Sequence, residues 1–120
     1  MAGAILFVDD ESDLRFMVAS YFEHFGLTVL TAGDTEEAMQ RTHGLTLGVV
    51  ILDVNLPGKG SVAFMEFLKQ NHPHAPIILY TGRQSEDDLV AEMLARGAKR
   101  YLLKDGSLET LLAVVKELNA

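Results

Sequence analysis

Five polar residues of this chain have side chains suited to binding a divalent cation and a phosphoryl group. They are the acids Asp9, Asp10 and Asp53, the hydroxyl residue Thr81 and the cation Lys104. Oxygen ligands without His or Cys select a hard cation. A threonine hydroxyl and a lysine ammonium group can contact the oxygens of a phosphoryl group. The residue types therefore indicate metal-assisted phosphoryl chemistry.

The acids create an electrostatic problem if they lie close together. Two carboxylates about 4 Å apart repel by roughly 4 kcal/mol at an effective dielectric constant near 20, and a bound divalent cation removes this repulsion. An incomplete protein shell that keeps waters and leaves room for phosphate suits Mg²⁺ better than Ca²⁺. Such a cation also neutralises the charge of a transferring phosphoryl group. One carboxylate is then free to act as the acceptor.

Each of these residues follows, directly or after one residue, an apolar run of strand length. The runs are nearly continuous rather than alternating, which is typical of strands covered on both faces in a parallel sheet. They cover residues 4–8, 27–31, 48–52, 77–80 and 101–103. The sequence therefore predicts five buried strands.

Helical periodicity follows each predicted strand. After the first strand, one apolar stripe has three- and four-residue spacing: Leu14, Met17, Val18, Tyr21, Phe22 and Phe25. Phe16, outside the stripe, is also expected to pack. Asp34 with Glu37 indicates a variant capping box for the second helix, while Ser85 and Ser107 can cap the fourth and fifth. The alternating order predicts an α/β fold, a doubly wound five-stranded parallel sheet flanked by five helices.

This topology predicts where the candidate site lies. In open parallel sheets, ligands bind beyond the carboxyl ends of the strands. The first and third strands are expected to be neighbours near the centre of the sheet. Asp9, Asp10 and Asp53 should therefore converge on one small volume.

Composition limits the classes of function. The 120 residues suffice for one domain, 1–120, and leave no room for an output domain. A net charge of -7 disfavours direct nucleic-acid binding, because contact with phosphates needs clustered Lys and Arg. The start fits neither a signal peptide nor a membrane span, so the cytoplasm is the expected location. A protein partner or a cation fits this charge better.

Together these motifs resemble the response-regulator receiver domain, over essentially the whole chain. The matching features are paired acids after the first strand, an acid after the third, a threonine after the fourth and a lysine after the fifth. The resemblance implies the flavodoxin-like receiver fold, with Asp53 accepting phosphate from a histidine kinase or histidine phosphotransfer protein. It implies Mg²⁺ as the cofactor, bound by the carboxylates of Asp9, Asp10 and Asp53 and by the backbone carbonyl of Asn55.

The same resemblance implies a conformational switch. Thr81 and Lys104 would contact the phosphoryl group, Thr81 would move toward it, and Tyr101 would swing inward behind, with Gly82 leaving room for this motion. The surface formed by residues 85–118 would then change its preference for an output partner. The resemblance leaves homodimer formation open, and it implies a signalling domain rather than an enzyme.

Two departures from the family pattern keep alternatives open. Asp105 follows Lys104 where a proline is usual, so a cis peptide is not expected there, and Gly60 comes one position early in the loop after the acceptor. These changes are compatible with a degenerate receiver that only binds proteins. An aspartate-nucleophile phosphatase of the haloacid dehalogenase type uses similar acids, but Asn55 stands where its second acid belongs.

Overall fold

The computed structural model describes residues 3–54, 56, 60–82 and 87–119. Five parallel strands form one sheet in the order β2-β1-β3-β4-β5, so the predicted neighbourhood of the first and third strands is confirmed. The strands are β1 (Ala4–Val8), β2 (Val29–Ala32), β3 (Leu47–Asp53), β4 (Ile77–Thr81) and β5 (Arg100–Leu103). The helices that follow them are α1 (Ser12–His24), α2 (Thr35–Arg41), α3 (Ser61–Asn71), α4 (Asp87–Ala95) and α5 (Leu108–Leu118).

Apolar side chains cover both faces of the sheet, as the continuous apolar runs predict. One face packs against α1 and α5 through Val18, Phe22 and Leu111. The other face packs against α2, α3 and α4, with Phe64 and Met93 fully buried there. The central strands β1 and β3 contribute residues to both layers, which explains why their sequences do not alternate between apolar and polar.

The apolar stripe predicted on α1 is only partly buried. Val18 and Phe22 are fully buried, but Met17 is 53% exposed and Phe25 is 45% exposed. Phe16 is 73% exposed, so the prediction that it packs is wrong. A helix lying on a sheet buries a narrow line of side chains, and the neighbours of that line remain in solvent. Spacing alone does not show where the buried line ends.

The capping box predicted at the start of α2 is confirmed in a shifted form. The Asp34 side chain accepts a hydrogen bond of 2.7 Å from the backbone N–H of Glu37. The Glu37 carboxylate accepts 2.7 Å from the N–H of Gly33, one residue before the cap. Ser107 caps α5 by accepting from the N–H of Thr110. The predicted cap Ser85 lies outside the described residues.

Within the part of the chain that the structure describes, no helix combines the length and the apolar character that crossing a membrane requires.

Replacing Asp34 with alanine should lower the free energy of unfolding by about 1 kcal/mol, because the first turn of α2 loses its side-chain acceptor. Urea denaturation measures this change. Glu36→Ala is the matched control, since Glu36 is an exposed acid of the same turn but not the cap. Equal losses in the two variants would show that the cap contributes nothing beyond its negative charge.

Candidate functional site

The ends of β1 and β3 bring two acids side by side. Val8 pairs with Leu52 in the parallel register, so the next residues, Asp9 and Asp53, lie beside each other at the carboxyl edge of the sheet. Asp9 is fully buried and Asp53 is 4% exposed. Asp10 is exposed, and the three acids each offer a carboxylate oxygen within 4.8 Å of the others. The structure therefore brings together the three acids that the sequence predicts to converge.

Backbone and side-chain contacts fix the position of Asp9. Its N–H donates to the carbonyl of Ala32 at 3.0 Å, which continues the pairing of β1 with β2. Its Oδ1 accepts 2.9 Å from the N–H of Glu11, and its backbone carbonyl accepts 2.7 Å from the Arg15 guanidinium. These contacts leave the other carboxylate oxygen, Oδ2, to face the cluster of acids.

A serine that the sequence interpretation did not single out supports Asp53. The hydroxyl of Ser61 donates to the backbone carbonyl of Asp53 at 2.8 Å, and Ser61 is buried. Ser61 is the first residue of α3, so this bond joins the end of β3 to the start of the following helix. A serine at the start of a predicted helix is an available signal, but it indicates a cap rather than a contact with the preceding strand.

Lys104 places its ammonium group among the carboxylates. Its Nζ lies 2.7 Å from Asp9 Oδ2, 3.2 Å from Asp53 Oδ2 and 3.3 Å from Glu11 Oε1. The Lys104 N–H donates to the Thr81 carbonyl at 2.8 Å, which fixes the start of the loop after β5. Lys104 therefore neutralises part of the negative charge that Asp9 and Asp53 bring into the sheet edge.

The surroundings of Lys104 keep it protonated. Burial opposes the charged form and would lower its pKa, but the nearby carboxylates of Asp9 and Asp53 outweigh burial and raise the pKa well above its ordinary value of 10.5. Lys104 therefore carries a full positive charge at neutral pH. It is suited to hold anionic oxygens, and it is not available as a proton acceptor there.

The chemistry of Asp9 tests whether a metal fits this site. Its Oδ2 is enclosed and lies 2.7 Å from the Lys104 ammonium, which also contacts Asp53. One ammonium group cannot neutralise the three acids of the cluster, and uncompensated charge in a buried site is costly. A hard cation shared by Asp9, Asp10 and Asp53 would neutralise the remaining charge. The donor set therefore fits a metal such as Mg²⁺.

The remaining predicted residues lie on the β4 and β5 side of the site. Thr81 ends β4 and is fully buried, and Tyr101 on β5 is half-buried against the layer of α3 and α4. A Cβ added at Gly82 would lie 3.7 Å from Lys104 Cδ, an ordinary van der Waals distance. The backbone carbonyl of Asn55, the fourth predicted metal ligand, lies outside the described residues.

The bond between Lys104 and Asp105 agrees with the sequence. Cis peptide bonds are absent from the described residues, so this bond is trans, as expected without proline. Gly60, the glycine that comes one position early, has a φ of 87° and directly precedes α3. Its backbone lies in the left-handed region, which favours glycine over other residues. The loop after the acceptor therefore reaches α3 through a glycine-dependent conformation.

Comparison with known proteins identifies a shared family of domains. A family model described as the response regulator receiver domain matches residues 5–116. The transcriptional regulator NtrC of Escherichia coli K12 is 29% identical over 114 residues, which cover 95% of this chain and 24% of NtrC. PhoB, the phosphate regulon regulator of the same strain, is 32% identical over 118 residues, or 97% of this chain and 51% of PhoB. The chain thus spans a quarter to a half of the length of these curated relatives.

Solved structures agree with the observed architecture. The receiver domain of NtrX from Brucella abortus has a TM-score of 0.85 at 28% identity, covering 95% of this chain and 96% of that one. A CheY-like receiver domain protein from Methanospirillum hungatei JF-1 has a TM-score of 0.88 at 24% identity, covering 98% and 93% of the two chains. The second similarity concerns the fold alone.

Replacing Lys104 with methionine should lower the free energy of unfolding at neutral pH by about 3 kcal/mol, because two buried carboxylates lose their shared cation. Addition of Mg²⁺ should recover more stability in this variant than in the wild type. Urea denaturation with and without Mg²⁺ measures both effects. Lys99→Met is the control, since Lys99 is exposed and near the opposite end of β5. A loss no larger than that of the control would contradict the assigned role.

The pH dependence of this stabilisation has a definite sign. The pKa of Lys104 is higher in the folded than in the unfolded chain, so its contribution is complete below the unfolded value of 10.5 and declines as pH rises toward the folded value. The difference in stability between wild type and Lys104→Met should thus stay constant from about pH 7 to about pH 9. The difference should decrease above the unfolded pKa of 10.5. A decrease between about pH 7 and about pH 9 would instead show that Lys104 loses its proton in that range.

Proposed function

The chain belongs to the response-regulator receiver family, and on that premise we propose that it accepts a phosphoryl group on Asp53 from a histidine kinase or histidine phosphotransfer protein. The observation that carries the proposal is the nearly buried carboxylate of Asp53, which shares a cluster with Asp9 and Asp10 and lies 3.2 Å from the Lys104 ammonium. Receiver domains are signalling domains, and the proposed chemistry is limited to the phosphorylation and dephosphorylation of this domain.

In the proposed reaction, a carboxylate oxygen of Asp53 attacks the phosphorus atom of a phosphohistidine. The new O–P bond forms as the P–N bond breaks, and the imidazole leaves with the electron pair. Asp9, Asp10, Asp53 and the backbone carbonyl of Asn55 would hold the metal, and Mg²⁺ bound there would neutralise charge on the phosphoryl oxygens. The remaining stabilisation comes from residues of the chain itself.

Lys104 would change partners during this reaction. Before transfer it contacts Asp53 Oδ2, an oxygen of the acceptor carboxylate. After transfer the negative charge of that carboxylate resides on the phosphoryl oxygens, and the Lys104 ammonium contacts them instead. The Thr81 hydroxyl would donate a hydrogen bond to the same group. The fixed backbone bond between Lys104 and Thr81 keeps these two donors together.

We also propose that phosphorylation switches partner binding. Thr81 would move toward the phosphoryl group and Tyr101 would swing inward, while Gly82 leaves space for both. The surface of residues 85–118 would then bind an output partner or a second copy of the chain. Moving a two-state equilibrium from 1:99 to 99:1 requires about 5.5 kcal/mol of differential stabilisation, so a partial shift is a realistic response.

We further propose that residues 1–120 act as a receiver domain in the cytoplasm, with Mg²⁺ as the cofactor. Direct nucleic-acid contact is not proposed for these residues, because the net charge of -7 opposes it. The names of NtrC and PhoB describe transcriptional regulators, so a transcriptional output reached through other protein segments is compatible with this assignment.

A degenerate receiver remains the second candidate, and Asp105 is the observation that favours it. This residue adds a negative charge directly after Lys104, where anionic oxygens would bind. In that case the domain would bind partners without phosphorylation. A phosphatase of the haloacid dehalogenase type would need a second acid where this chain has Asn55. Turnover of small phosphate esters is the result that would support this alternative.

Incubation with Mg²⁺ and acetyl phosphate should add one phosphoryl group to the wild type, and Asp53→Asn should remove this labelling completely, because the variant has no acceptor carboxylate. Intact-protein mass spectrometry measures the labelling, and circular dichroism checks that the variant folds. Asp105→Asn is the control for charge near the site and should stay labelled.

Two results would contradict the proposal. Undiminished labelling of Asp53→Asn would place the acceptor elsewhere. Absence of labelling in the wild type, together with absence of amide shifts on addition of beryllofluoride and Mg²⁺, would favour the degenerate receiver. Amide shifts that include Tyr101 and the surface of residues 85–118 would instead support the switch.

A further inference from the structure

The loop between β2 and α2 contributes no predicted site residue, yet it lies against the residue that holds Asp9. Gly33 is the first residue after β2, and the backbone of Asp9 is bonded to the neighbouring Ala32. An alanine Cβ placed at Gly33 would lie 3.1 Å from Arg15 Nη1 and 3.4 Å from its Cζ. The loop therefore forms one wall of the space that the Arg15 guanidinium occupies.

Arg15 makes a short, charge-assisted hydrogen bond to the Asp9 backbone. Its Nη1 donates to the Asp9 carbonyl at 2.7 Å, and a hydrogen bond from a charged donor is roughly twice as strong as a neutral one. The bond connects α1 back to the end of β1. With the N–H of Asp9 paired to Ala32 and its Oδ1 bonded to the N–H of Glu11, both the backbone and one carboxylate oxygen of Asp9 are fixed.

Gly33 lies close to the guanidinium that makes this contact. The Gly33 backbone does not adopt the left-handed conformation, so its φ does not require glycine. The three atoms nearest to an added Cβ all belong to the Arg15 guanidinium, at 3.1 to 3.6 Å. A side chain at this position would require the guanidinium to shift by a few tenths of an ångström.

From these contacts we propose that Arg15, seated against Gly33, is a positioning residue that holds Asp9 so that its Oδ2 faces the metal. The proposal rests on the proposed function, because it concerns metal binding by the same site. Arg15 itself need not contact the metal or the phosphoryl group. Its effect is transmitted through the Asp9 backbone.

The charge of Arg15 and its positioning role predict opposite effects on Mg²⁺ binding, so an experiment can distinguish them. The Arg15 guanidinium is a cation close to the site, so by charge alone its removal would strengthen the binding of Mg²⁺. Loss of positioning would weaken that binding instead. Arg15→Lys keeps the charge but not the planar donor group that reaches the carbonyl. It should therefore weaken binding if position matters, and leave binding unchanged if only charge matters.

Titration calorimetry with Mg²⁺ alone should show about tenfold weaker binding for Arg15→Ala, the loss typical for removal of a group that orients a metal ligand. Arg15→Lys should also bind more weakly. Labelling by acetyl phosphate should need more Mg²⁺ in both variants but reach the wild-type rate at saturation. A substitution that only destabilised the fold would not raise the Mg²⁺ requirement while leaving the maximal rate of labelling unchanged.

Arg41→Ala is the matched control. The Arg41 Nη1 donates at 2.7 Å to the carbonyl of Thr31 within β2, the same kind of contact at the same length, but one that does not involve an acid of the site. This variant should bind Mg²⁺ like the wild type. Equal weakening in Arg41→Ala and Arg15→Ala would overturn the proposal, because the effect would then be general.

Gly33→Ala tests the contact between Gly33 and the Arg15 guanidinium. Alone, it should weaken Mg²⁺ binding in the same direction as Arg15→Ala but to a smaller extent, since the added methyl requires the guanidinium to shift by a few tenths of an ångström. Combined with Arg15→Ala, it should have no further effect, because the group it displaces is already gone. Additive effects of the two substitutions would overturn the claim that Gly33 acts through Arg15.

A measurement without metal separates this proposal from the proposed function. The N–H of Glu11 is bonded to Asp9 Oδ1, so amide hydrogen exchange of Glu11 reports how firmly Asp9 is held. Exchange should be faster in Arg15→Ala and unchanged in Arg41→Ala. Unchanged exchange in Arg15→Ala would overturn the positioning role even if the wild type binds Mg²⁺. Faster exchange in a protein that does not bind Mg²⁺ would reject the proposed function and retain the role of Arg15 in holding Asp9.

Discussion

The repulsion between two carboxylates at the edge of the sheet is the constraint on which the site depends. Asp9 and Asp53 are buried side by side because the register of β1 with β3 leaves them no other position. Lys104, which follows the edge strand β5 at the same end of the sheet, reduces this repulsion. Ser61 and Arg15 hold the two acidic residues through their backbone carbonyls. The site therefore keeps its acids in place while Lys104 neutralises only part of their charge.

Much of the fold could be predicted from the sequence, because the strands are buried on both faces and the loops are short. Continuous apolar runs place the five strands within about two residues of their observed bounds. The exposure of Phe16 and Met17 was not predictable in the same way. Periodicity gives the direction of an apolar face, but how much of that face is covered depends on where neighbouring helices lie.

The candidate site was likewise predictable from the sequence only in part. Asp9, Asp10, Asp53 and Lys104 could be grouped from their positions at strand ends, because parallel topology brings all such ends to one edge. The contact of Arg15 with the Asp9 carbonyl could not, since it depends on how α1 returns over β1. The closeness of Gly33 to this guanidinium could not be predicted either, because it depends on the same placement of α1 and not on the backbone conformation of Gly33.

The two apolar layers on opposite faces of the sheet have a mechanical consequence. Leu79 and Tyr80 are adjacent in the chain, but Leu79 belongs to the layer of α2, α3 and α4, whereas Tyr80 belongs to the layer of α1 and α5. Tyr101 packs in the first of these layers. If Tyr101 moves as proposed, it would act directly on the layer of α2, α3 and α4, and it would reach the layer of α1 and α5 only through the strands of the sheet.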